Sequence, residues 1–157
     1  MKPDIGITDK NLKAVCGILN NCLADSHILY FKLRKYHWNV QGDNFMELHQ
    51  LFETHYEQVQ EAIDNIAERI SQLGGIAIGT TSEFSKNSSL KEHPGKNPAN
   101  MEMIAELLGD HETVIKNLRS GIDDADEKYS DQGTADFLTD LIRAHEKMAW
   151  TLRRYLK

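Results

Sequence analysis

Residues 45–75 read FMELHQLFETHYEQVQEAIDNIAERISQLGG, and two patterns are superimposed on them. Phe45, Leu48, Phe52, Tyr56, Val59, Ile63, Ile66 and Ile70 recur at helical spacing, so one long helix is expected from Phe45 to Leu73, stopped by Gly74 and Gly75. On another face, His49/Glu53 and Asp64/Glu68 form two i,i+4 pairs, each offering two metal-ligand types side by side. Glu53 and Asp64 are eleven residues apart, which is three turns to within about 20°, so both pairs share that face. Fifteen residues separate the pair centres, roughly 22 Å along the axis, too far for one ion.

The positions are also palindromic about the point between Gln58 and Val59. An antiparallel copy of the helix, related by a two-fold axis, sets His49 beside the partner's Glu68 and Glu53 beside the partner's Asp64. Such an isologous contact creates two identical metal sites per dimer. His37, expected at the end of the preceding helix, is placed to complete each one. Taken singly, a His or Glu on a helix is more often just a solvated polar residue; the symmetric set of four with a second His is what points to metal.

Working outward, Leu12, Val15, Leu19, Leu23, Tyr30 and Leu33 predict a first helix from Asn11 to His37, with Gly42, Asp43 and Asn44 breaking the chain before the second. These two pair as an antiparallel hairpin. Residues 75–97 lack a long period, yet are enough chain to travel the length of a bundle, with Ser82 placed to cap a short helix at Glu83–Lys86. A third helix is expected from about Pro98 to Lys128, and a fourth from about Thr134 to Tyr155, His111 and His145 lying on their apolar stripes. Hairpin, crossover and hairpin make an all-α four-helix bundle with one long crossover carrying a short helix, the ferritin-like connectivity.

A chain of 157 residues reads as a single domain, 1–157, long enough to bury a proper core. It has no apolar run of membrane-spanning length and no apolar leader, so no membrane contact and a cytoplasmic location are expected. Cys16 and Cys22 fall on different faces of the first helix and are expected to be buried, unbridged side chains. A net charge of −6 argues against generic attraction to nucleic acid or anionic lipid and suits the handling of cations.

The stretch YHWNVQGDNFMELHQLFETHYEQVQEAIDNIAERISQLGG resembles the signature of the Dps family, the mini-ferritins named as DNA-binding proteins from starved cells, and the likeness extends over the whole chain to the closing HEKMAWTLRRYL. The resemblance implies a hollow dodecamer that oxidises Fe(II) to Fe(III), preferentially with hydrogen peroxide, and stores the ferric mineral. It implies an intersubunit ferroxidase centre with His37, His49 and Glu53 from one subunit and Asp64 and Glu68 from its partner. Glu53 stands where the family often has Asp. Mixed imidazole and carboxylate ligation suits iron, although Zn(II) or Mn(II) fits the same atoms. The Glu-x-x-His motif of sites inside a single bundle is absent, since no His has a Glu three residues before it.

Three further expectations follow from the resemblance. Trp38 matches a tryptophan beside the iron centre that takes up oxidising equivalents, although a tryptophan at an interface needs no such role; Trp150 is expected in the core or an interface. Asp131, Asp136 and Asp140 match acids of a three-fold pore admitting Fe(II), although acids near a helix N-terminus also complement its dipole. DNA is an alternative partner, which would make the chain a nucleoid protein shielding DNA in starvation or oxidative stress. The termini do little for it: Lys2 is opposed by Asp4 and Lys10 by Asp9, leaving Arg153, Arg154 and Lys157 at the other end.

Overall fold

The computed structural model describes residues 3–156. Five helices follow in order: α1 (Asp9–Asn39), α2 (Phe45–Gln72), α3 (Thr81–Asn87), α4 (Asn100–Asp123) and α5 (Gln132–Arg153), with a π turn (Asp124–Lys128) between the last two. No strand occurs among the described residues. Helix α1 packs along α2 and α4 along α5, and the segment from Gly74 to Ala99 crosses over between the hairpins with α3 lying on α1. This is the expected all-helical bundle with one long crossover.

The apolar stripes close on one another in two layers. Leu12, Val15, Leu19, Leu23, Ile66, Ile70, Leu118 and Leu138 fill one end of the bundle. Leu29, Leu33, Leu48, Phe52, Met103, Ile104, Leu107 and Leu152 fill the other. At about 25 cal/mol per Å² of apolar surface removed from water, these interlocking rows are the main stabilising term. Cys16 and Cys22 are buried and unbridged, and burial pushes the Cys22 thiol up to about 12.

Most helix ends differ from the sequence expectation by a turn or less, for local reasons; the third helix, expected to about Lys128, is α-helical only to Asp123 and continues to Lys128 as the π turn. Thr8 caps α1, its hydroxyl accepting from Asn11 N–H, so the helix starts at Asp9 and runs on to Asn39. The short helix is capped by Thr80 rather than Ser82, because Thr80 and Glu83 form a reciprocal capping box. Pro98 lies just outside α4, whose capping position is Ala99. Asp131, rather than the turn after it, starts α5 by accepting from Thr134 N–H.

At the α2 terminus Gly74 has φ +77°, and Gly75 N–H reaches back to Ile70 O at 2.9 Å, a tight reversal that favours glycine. A Cβ on Gly75 would stand 2.6 Å from Cys16 Sγ, so this residue also sets how closely the crossover approaches α1. Further along, buried Asp25 anchors the crossover by accepting from Ser88 Oγ, Ser89 N–H, Ser89 Oγ and Asn117 Nδ2.

Candidate metal centre

The last turn of α1 and the first turn of α2 meet across residues 40–44, which brings His37 and His49 face to face. Their rings stack at 3.7 Å between centroids and 20° between planes. His37 Nδ1 lies 2.8 Å from His49 O, and His49 Nδ1 lies 2.8 Å from His37 O. A carbonyl oxygen only accepts, so both Nδ1 atoms donate, and Nε2 is in each ring the nitrogen left free to ligate. Backbone contacts of this kind fix the tautomer and orientation of metal-binding imidazoles.

Glu53 lies one turn after His49, half-buried, and its Oε1 accepts from the Tyr56 hydroxyl at 3.1 Å. Desolvation, followed by this bond and the charge of Glu53, raises the Tyr56 pKa and keeps the phenol a donor. Tyr56 also meets His37 edge-on at 5.2 Å between centroids. The Arg34 guanidinium sits over three rings, 4.8 Å from Tyr56, 5.0 Å from Trp38 and 5.6 Å from Tyr30, and donates to Tyr30 Oη at 2.8 Å. Trp38 itself is 63% exposed in the single chain.

Asp64 and Glu68 stand exposed further along α2. Among the described residues, no three His, Cys, Asp or Glu side chains of one chain converge as a metal site. One chain thus stacks His37 on His49, carries Glu53 one turn further along α2 and Asp64 and Glu68 further still, and by itself gathers no three of them at one point.

The three pore candidates have unlike surroundings. Asp131 is only 3% exposed, and its carboxylate accepts from Thr134 N–H at 2.9 Å, Thr134 Oγ1 at 2.6 Å and Arg69 Nη2 at 3.3 Å. Asp136 and Asp140 are exposed, and Asp140 pairs with Arg143. Trp150 is half exposed, so it is no part of the core of this chain.

Sequence reasoning passed over one polar cluster. His55, His111 and His145, from α2, α4 and α5, are all buried in the bundle. His111 and His145 share a proton between Nδ1 atoms 2.9 Å apart, and the His55 ring meets His111 edge-on. Burial drives His55 and His145 down to about 4 and His111 well below its usual value, so the cluster is neutral at neutral pH. The signal was available: all three lie on helix faces otherwise occupied by apolar residues.

Comparison with known proteins places residues 16–157 in the ferritin-like domain family. The chain is 48% identical to a low temperature-induced protein of Nostoc sp. over 98% of its own length and 86% of that protein's. It is 36% identical to the DNA protection during starvation protein of Brevibacillus brevis, covering 91% of this chain and 95% of the relative. Its fold matches the crystal structure of a Dps protein from Vibrio cholerae, described as a ferritin-like diiron-carboxylate protein, with a TM-score of 0.92 at 31% identity, over 99% and 97% of the two chains.

Proposed function

The chain belongs to the ferritin-like family, among the Dps proteins, and from that premise we propose that it is an iron-storing ferroxidase whose catalytic sites form between subunits. The carrying observation is the division of ligands along α2: two oriented imidazoles and Glu53 at one end, Asp64 and Glu68 at the other. A two-fold axis through the middle of α2 joins His37, His49 and Glu53 of one protomer to the partner subunit's Asp64 and the partner subunit's Glu68.

In this reading Fe(II) is substrate. Imidazole nitrogen holds the ferrous ion, and the hard carboxylate oxygens favour the ferric product. Two Fe(II) ions give one electron each to hydrogen peroxide, whose O–O bond breaks and takes up two protons as two waters. Trp38, open to solvent beside Arg34, serves as the donor of an oxidising equivalent's missing electron when only one iron is present. Exposed Asp136 and Asp140 lead cations toward the interior, and twelve subunits close the cage that stores the mineral. Zn(II) and Mn(II) act as competitors for the same atoms. Among the described residues no helix is long and apolar enough to cross a membrane.

Anaerobic mixing of the Fe(II)-loaded assembly with peroxide, followed by ferric absorbance and compared with oxygen, tests the activity. Fast oxidation by peroxide and slow oxidation by oxygen are expected. Asp64→Ala is expected to abolish the fast phase. Asp64 is exposed in the single chain, so its loss costs the fold of the protomer no more than about 0.5 kcal/mol, and size-exclusion chromatography checks that the variant assembles. Unchanged kinetics in that assembled variant would remove Asp64 from the site.

A further inference from the structure

Glu53 brings a flexible side chain to a place where the ligand must be held still, and the chain surrounds it with groups that do the holding. Its Oε1 accepts from the Tyr56 hydroxyl at 3.1 Å, one turn along the same helix. The phenol cannot swing away easily: its ring meets His37 edge-on at 5.2 Å on one side and carries the Arg34 guanidinium at 4.8 Å on another. Arg34 is fixed in turn by its bond to Tyr30 Oη and by lying over Trp38, while Tyr30 donates to Gln60 Oε1 at 3.3 Å. The wall that orients Tyr56 is therefore built from both helices of the first hairpin.

We infer that Tyr56 is a positioning residue for the proposed metal centre: its hydroxyl occupies Glu53 Oε1, so that Glu53 presents Oε2 alone and binds the ion through one oxygen. The inference rests on the intersubunit ferroxidase reading and deepens it. Glutamate has one more rotatable bond than aspartate, and ordering a long side chain costs free energy that the ion would otherwise have to supply. The phenol bond orders it in advance, as outer partners of metal ligands do elsewhere. It also explains how a glutamate is accommodated at this position. An Asp at position 53 would draw the carboxylate back by about 1.5 Å, beyond hydrogen-bond reach of Tyr56.

The test is Tyr56→Phe in the assembled protein, which keeps the ring and its contacts with Arg34 and His37 and removes only the hydroxyl. Assembly is verified by size-exclusion chromatography, and anaerobic Co(II) titration is read by visible absorbance alongside the Fe(II) dependence of peroxide-driven oxidation. Co(II) affinity is expected to fall about 10- to 100-fold, with the Fe(II) concentration for half-maximal rate rising in parallel and the maximal rate changing far less. In an Glu53→Asp background the same Tyr56→Phe change is expected to matter by less than about twofold, because the bond it deletes is already gone. Parental affinity in Tyr56→Phe, or an equal loss in both backgrounds, would overturn the inference. Asp64→Ala, titrated in the same way, separates the two readings. If it keeps full affinity, the site itself is misassigned; if it loses affinity while Tyr56→Phe does not, only the positioning role falls.

Discussion

Asp131 shows how a residue that matches a functional pattern can be occupied by structure. Its carboxylate caps α5 and pairs with Arg69, both within one chain. Asp131→Ala should therefore lower stability by about 1–3 kcal/mol, read as a drop in the thermal midpoint, because it uncaps a helix and removes the ion pair of Arg69, which keeps only its bonds to Thr134 and Gln72. Asp136→Asn, at an exposed position, should change stability by no more than about 0.5 kcal/mol and instead slow iron uptake into the assembly. An unchanged midpoint for Asp131→Ala would mean that its buried bonds are offset elsewhere, and the pore assignment for that residue would regain its force. Gly75 makes a second, purely steric case. Gly75→Ala places a methyl 2.6 Å from Cys16 Sγ and should cost about 1–3 kcal/mol by overpacking. A chemical unfolding midpoint equal to that of the parent would show that the crossover shifts freely. The sequence announced both glycines as a helix stop, but nothing in it said that Cys16 would lie against Gly75. That contact joins residues far apart in the chain.

The helices were legible because each carries a continuous apolar stripe, and their ends were blurred where capping depends on a single side chain. Thr80 shows this well: Thr80 and Glu83 spell a capping box, yet Ser82 sits equally close to the start and offers the same hydroxyl. The His37/His49 contact was readable only as a proximity, since reciprocal bonding to each other's carbonyls depends on how tightly residues 40–44 turn. Where helices meet in the interior, the sequence hid most. His55, His111 and His145 join α2, α4 and α5 in their neutral forms, and this ties bundle stability to pH. In an unfolded chain each imidazole protonates near its usual 6.5, whereas in the fold His55 and His145 resist until about 4. The unfolded state thus binds more protons throughout that interval. The stabilisation is fully present above about 6.5 and is lost as pH falls toward 4, on the order of 2–3 kcal/mol per histidine. Thermal unfolding of the metal-free protein across this range should show the midpoint falling with acid. A midpoint independent of pH between 6.5 and 4 would mean that the cluster opens to solvent.

At the scale of the whole molecule, surface charge decides between an iron store and a DNA-binding protein. The net charge is −6, and several exposed cations are already engaged: Arg119 with Glu146, Arg153 with Glu112, Arg143 with Asp140 and Lys128 with Asp124. Arg154 lies over the Trp150 ring, and Lys2 and Lys157 fall outside the described residues. Binding a phosphate backbone through these cations requires their pairs to break while the acids around them repel the strand. Counterion release rewards only the phosphates that cations actually neutralise, and affinity falls with salt in proportion to their number. Acids placed beside cations remove that reward, and the same acids favour the approach of Fe(II). An electrophoretic mobility assay of the assembled protein with duplex DNA should therefore show no retardation at about 150 mM salt, near physiological ionic strength. A retarded complex that persists there and weakens steeply as salt is raised would show that the assembled surface presents a basic patch that single-chain charges conceal, and would bring DNA protection level with iron storage as the protein's role.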